Sequence, residues 1–115
     1  MSQIENTEEK KKRNEPYITL SLDGDYVDFR DFYDNNKETI YKNIVEVFKG
    51  LKVSRKKKLN LLVLAKISGL EWDTEFKFSK DDKKTLVRDV IPYFEQIEDY
   101  ETCLEIKNLH DCLTN

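Results

Sequence analysis

The chain has 115 residues, of which 20 are Lys or Arg and 23 are Asp or Glu, for a net charge of −3. That length fits one domain, no stretch approaches the roughly 20 apolar residues of a membrane span, and no apolar leader suggests export. Three glycines and two prolines exclude collagen-like and low-complexity chains, and the mild net charge argues against a polycation built for nucleic acid.

A mean hydropathy of −0.74 reflects a surface rich in Lys and Glu. Tyr, Phe, Ile and Val recur in periodic runs, which supplies a core. Cys103 and Cys112, in a chain without a secretory signal, are expected as free thiols in a reducing cytoplasm.

Residues 1–15 carry Ile4 as their one strongly apolar side chain besides the initiator Met and read as a disordered arm ahead of a domain spanning 16–115. The Lys10–Arg13 run in the arm reads as solvated charge.

From Tyr17 to Leu22 the pattern alternates, with Ile18, Leu20 and Leu22 on one face. Asp23-Gly24 is a two-residue hairpin signal. Folding there sets Leu20 opposite Val27 and Ile18 opposite Phe29, with Thr19 facing Asp28 and Ser21 facing Tyr26 on the polar side.

Asp34-Asn35-Asn36 offers N-caps for a helix with the apolar stripe Ile40, Ile44, Val47, Phe48 and Leu51 and a C-cap at Gly50. A basic loop follows: Lys49, Lys52, Arg55, Lys56, Lys57 and Lys58, with no acid among residues 49–58.

The apolar run from Leu59 to Ile67 fits strand or helix by period alone. Its neighbour favours a strand. A turn at Ser68-Gly69 pairs Leu61 with Phe76, Val63 with Thr74, Ala65 with Trp72 and Lys66 with Glu71. A helix capped by Ser54 and stopped at Gly69 is the alternative.

Ser79, followed by Asp81 and Asp82, caps a helix striped by Leu86, Val87, Val90 and Ile91. Pro92 is expected to kink or end it. Tyr93, Phe94, Ile97 and Tyr100 continue an apolar face. Asp99 is a further N-cap, for a helix bearing Cys103, Ile106 and Leu113; residues 92–113 fit one helix or two.

The expected fold is therefore α+β: two antiparallel β-hairpins in a small sheet covered by three helices, in the order ββαββαα. A shift of 46 residues lays Ile40, Tyr41, Ile44, Val45 and Phe48 onto Leu86, Val87, Val90, Ile91 and Phe94. That spacing suits a duplicated hairpin–helix unit, though any two such units share it.

Few residues suit catalysis. In a continuous helix Cys103 and Cys112 stand roughly 13 Å apart along the axis, too far to share a zinc or a disulfide. No nucleophile elbow, phosphate loop or dinucleotide fingerprint occurs. From Asp89 onward there are seven acids and one Lys, Lys107. Paired carboxylates can do acid–base work, but a solvated acidic helix has the same composition. No catalytic residue, metal site or cofactor is expected, and the chain reads as a non-enzyme.

Two binding roles remain. Lys49, Lys52, Arg55, Lys56, Lys57 and Lys58 could grip phosphates without reading sequence, with Tyr17 and Tyr26 available for stacking. The segregation of charge, basic around 49–58 and acidic from 89 onward, and the open sheet edges favour a protein partner, another chain or itself. The acidic candidates are Glu95, Glu98, Glu101 and Glu105, with Tyr100 among them.

Phe94, Ile97, Glu98, Tyr100, Glu101 and Cys103 follow the pattern F-x-x-I-E-x-Y-E-x-C. With the upstream AKISGLEWDTEF, the last 50 residues or so resemble small uncharacterised proteins of tailed bacteriophages and related mobile elements. The resemblance implies a short non-enzymatic protein, a virion or assembly component or a binder of host machinery, located in the host cytoplasm or the virion.

Overall fold

The structure is a computed structural model and describes residues 15–113. The expected disordered arm lies, but for Glu15, outside the described residues. The elements run β1 (Ile18–Tyr26), α1 (Phe29–Val53), β2 (Lys58–Ile67), β3 (Leu70–Ser79), a 3₁₀ turn (Lys80–Lys83), a π-helical turn (Leu86–Val90), α2 (Ile91–Gln96) and α3 (Tyr100–Cys112). The class is α+β, as expected. The order is β α β β α α, with one three-stranded mixed sheet, β1-β2-β3, in place of two hairpins.

The first hairpin does not form. β1 runs straight past Asp23-Gly24 and pairs in parallel with β2, Ile18 beside Leu61 and Leu20 beside Val63. Gly24 (φ +121°) serves a register slip between Ser21 and Asp25, which the Tyr26 hydroxyl braces by donating to the Asp23 carbonyl at 2.9 Å. The residues expected as the return strand start α1 instead. The Asp28 carboxylate accepts from the Asp31 N–H at 2.8 Å, and the Asp31 carboxylate accepts from the Val27 N–H at 3.0 Å. This reciprocal cap fixes two orphan donors and outcompetes a second strand. With the first hairpin gone, no hairpin–helix unit repeats.

α1 begins five residues before the expected Asp34 cap. The Asn signal still has a cause: Asn36 is non-helical (φ −129°, ψ 15°) and marks a kink, where its amide donates to the Phe32 carbonyl at 2.7 Å. Gly50 is not the C-cap either. It lies inside the helix, which Ser54 closes through its N–H to the Gly50 carbonyl at 2.8 Å. Gly50 leaves room for the Tyr17 ring, whose nearest atom stands 2.7 Å from where a Cβ would be.

The second hairpin forms in the expected register, Leu61–Phe76, Val63–Thr74, Ala65–Trp72 and Lys66–Glu71. Ser68 (φ +54°) and Gly69 (φ +76°) make its turn. β2, the central strand, explains its own dense apolar run: Leu59, Leu61 and Val63 are buried against the helices, while Leu62 and Leu64 are sheltered between neighbouring strands on the open face.

Asp82 accepts from both the N–H (2.8 Å) and the hydroxyl (3.2 Å) of Ser79, which starts the next helical stretch as expected. Pro92 does not end it. The turn just before widens so that the Ile91 N–H reaches the Leu86 carbonyl. That extra room accommodates a ring with no N–H to donate. The chain breaks at Glu98 (φ +61°), and Asp99 caps α3 by accepting from the N–H (3.2 Å) and hydroxyl (2.7 Å) of Thr102. Residues 92–113 are therefore two helices.

The core joins Phe32, Ile44, Val47, Phe48 and Leu51 of α1 to Leu59, Leu61, Val63 and Phe78 of the sheet, and to Leu86, Val90, Ile91, Phe94, Cys103, Ile106 and Leu109. Cys103 is buried with its Sγ 3.7 Å from the Ile91 carbonyl, while Cys112 is exposed; they are not bridged.

Candidate interaction surfaces

α3 buries Cys103, Ile106 and Leu109 and turns its other side outward. Tyr100 (63% exposed) and Leu104 (61% exposed) stand one turn apart on that outer side, with Ile97 half exposed at the break before them. Glu95, Glu98, Glu101 and Glu105 are all exposed around them. Sequence reasoning singled out Tyr100 and the acids and missed Leu104, whose spacing of four from Tyr100 was the available signal.

The acidic and basic candidates meet at one point. Lys49 lies 3.2 Å from Glu46 on its own helix and 3.2 Å from Glu105 on α3. Hydrogen bonds to Glu46 and then to Glu105 hold its ammonium above the ordinary lysine range. Lys49 is thus shared between two carboxylates: it is withdrawn from the basic segment, and the cluster of Lys49, Glu46 and Glu105 keeps one net negative charge. Lys52 and Val53 border a hollow of about 330 Å³ between α1 and α3, with Glu105 and Cys112 on its far wall.

Arg55, Lys56, Lys57 and Lys58 remain exposed, and among the described residues none of them forms an ion pair. The β2–β3 register brings them unexpected neighbours. Lys58 is level with Ser79 and Asn60 with Lys77, and Lys80, Lys83 and Lys84 follow immediately. Tyr17 enters the fold there too, its N–H donating to the Asn60 carbonyl at 2.9 Å, and its ring is half exposed. Tyr26 is elsewhere: its ring meets Phe32 at 5.3 Å, so it is no stacking platform beside the basic loop. The opposite end of the sheet is acidic. A hollow of about 670 Å³ on the open face there has Asp23, Asp25, Glu71 and Asp73 against Lys66.

A chain of aromatic contacts runs from Trp72 through Phe29 and Tyr33 to Tyr41 and Tyr93. Leu70 and Val27 lie largely exposed near its Trp72 end. The Tyr33 and Tyr41 hydroxyls are hydrogen-bonded to each other. Burial first, and then this bond, push the Tyr41 phenol far above its ordinary range; burial also raises Tyr93, with Glu38 adding to it. Both phenols hold their protons more tightly folded than unfolded, so their stabilisation is intact below pH about 10 and is lost as pH rises beyond it. An alkaline titration followed by phenolate absorbance is expected to show these two ionising later than in denaturant, with stability falling over the same range.

Among the described residues no three His, Cys, Asp or Glu side chains converge on a point that could hold a metal ion, and no helix is long and apolar enough to cross a membrane. Comparison with protein-family models, with curated proteins and with solved structures returned no match.

Proposed function

We propose that the chain is a non-enzymatic protein-interaction module that docks a partner on the outer side of α3, of the kind its C-terminal pattern resembles among small phage proteins: a virion or assembly component, or a binder of a host protein. The observation that carries this reading is the exposed pair Tyr100 and Leu104, set among Glu98, Glu101 and Ile97. An aromatic anchor beside an aliphatic one, with Glu98 and Glu101 on one flank and Lys107 a turn further along the same face, suits a partner surface with an apolar pocket and a rim that is mainly basic. Exposed acids that do not converge are poorly placed for acid–base catalysis.

A second reading has its own support. The β2–β3 pairing brings Lys77 to the end of the sheet that holds Arg55–Lys58, and Lys80, Lys83 and Lys84 follow in the chain with Asp81 and Asp82 among them, so the end stays basic on balance with Tyr17 beside it. That end could hold a nucleic-acid backbone through charge alone, with strong salt dependence.

One experiment separates the two. A photo-crosslinker at Asn108, on α3 beside the proposed surface, captures partners from the cellular background. Tyr100→Ala with Leu104→Ala is expected to abolish capture of a specific protein while changing stability by less than about 0.5 kcal/mol. Capture unaffected by that pair, or a chain that binds only random oligonucleotides with an affinity that collapses in salt, overturns the α3 reading. The oligonucleotide result, lost on Lys56→Glu, Lys57→Glu and Lys58→Glu, establishes the second.

A further inference from the structure

β3 is an edge strand whose one guard among the described residues is charge, Glu71, Asp73, Glu75 and Lys77 on its open face. It pairs with β2 at every one of its ten positions without a bulge, and it contains no Pro or Gly. Its second edge has no strand partner among the described residues. β1, the opposite edge, is broken by the slip at Ser21–Asp25. Natural edge strands are normally shortened, bulged, covered or charged, because a straight one is a template for another chain, and charge guards an edge only where it meets like charge. β3 also overhangs the helical layer. Phe76 points to the helix side, stacked on Phe78 at 6.5 Å, yet is 39% exposed, because no helix covers it completely.

We propose that β3 pairs antiparallel with β3 of a second copy, about a two-fold axis through Phe76, joining the two three-stranded sheets into one of six. Charge selects this register. With the axis on Phe76, Glu75 of each copy faces Lys77 of the other and Asp73 faces Ser79, while Phe76 packs on Phe76 and both copies keep their helices on one side of the joined sheet. With the axis on Glu75 or on Lys77, that residue faces itself. An axis on Thr74 sets Asp73 against Glu75 twice. An axis between residues would put apolar side chains opposite the polar face. Like charges directly opposite destabilise a strand pair, and opposite charges stabilise it. β3 lies away from the outer side of α3, so this pairing does not depend on the partner proposed there.

The test is sedimentation equilibrium of the full chain from about 1 µM to about 1 mM. The wild type is expected to be in monomer–dimer exchange within that range. Glu75→Lys and Lys77→Glu, each creating two like-charge pairs across the axis, should each weaken dimerisation about tenfold. Combining the two restores opposite pairs and should restore the dimer. Both side chains are exposed, and Glu75→Lys gives up only a surface hydrogen bond from the Asn60 amide at 3.1 Å, so circular dichroism is expected to show the same fold in every variant. A wild type that stays monomeric throughout, single exchanges without effect, or a double exchange that fails to rescue overturns the proposal. A dimer that responds to Tyr100→Ala and Leu104→Ala and ignores the β3 exchanges also overturns it, and moves self-association to α3.

Discussion

Phe94→Ala is expected to cost about 3–5 kcal/mol, a large part of the roughly 5–15 kcal/mol that holds a domain of this size together. Phe94 has no exposed surface, meets the Tyr93 ring edge-on at 5.1 Å, and sits between Val45 of α1 and Thr102 of α3. Truncation leaves a cavity that three elements would have to close together. Ile97→Ala, three residues on, removes a side chain that is already half exposed and should cost about 1 kcal/mol or less. Urea denaturation of both variants checks this: the midpoint should fall far for Phe94→Ala and little for Ile97→Ala, with an unchanged slope. Equal losses would mean that α2 does not dock as described.

The same comparison divides the C-terminal pattern F-x-x-I-E-x-Y-E-x-C into two kinds of residue. Phe94 and Cys103 face the core, and packing accounts for them. Ile97, Glu98, Tyr100 and Glu101 face outward, where packing does not. Glu98 also supplies the left-handed turn residue, a position where Gly or Asn would be less strained. The outward residues therefore carry the argument for a partner.

Where one local signal had one local consequence, the residues could be read without the fold. Ser68-Gly69 turned because strands of matching pattern flanked it, and Asp99 capped because Thr102 lay three residues on. Asp23-Gly24 shows the opposite case. Its dipeptide allows positive φ at Gly24, and the chain used that freedom for a slip in β1. The deciding term was non-local: β2 needed a neighbour on its second edge, and β1 provides it from across α1. That requirement is written in β2, whose Leu62 and Leu64 are too apolar for a strand wet on its open face. The charges were misread for the same reason. Lys49 and Glu105 looked like members of two separate sites because 56 residues separate them, yet parallel packing of α1 and α3 pairs them. Lys77 comes near Lys58 only through strand register, which spacing along the chain does not show.

Leu61→Asp and Leu62→Asp, adjacent substitutions of the same kind, are expected to differ by several kcal/mol. Leu61 has no exposed surface and sits between Ile18 and Phe76 beneath the helices. A carboxylate there loses its hydration and gains no partner, so the domain should unfold at neutral pH. Its pKa would rise on burial. The deficit relative to wild type should therefore be smallest in acid, where the group is neutral, and grow as pH rises through that value. Leu62 points to the other face, between Thr19 and Glu75. Aspartate there gives up the partial shelter of Leu62 but keeps some access to water, with Thr19 on one side and Glu75 on the other, a cost of about 1–2 kcal/mol. Thermal unfolding of the two variants at neutral and acidic pH reads both differences. The outcome also bears on the strand assignment itself. In a helix over residues 59–67, positions 61 and 62 would be only about 100° apart and would share much of one environment; in a central strand they lie on opposite faces. A tolerated Leu62→Asp beside a ruinous Leu61→Asp fits only the strand, and with it the β2–β3 register on which both the basic end and the β3 pairing depend.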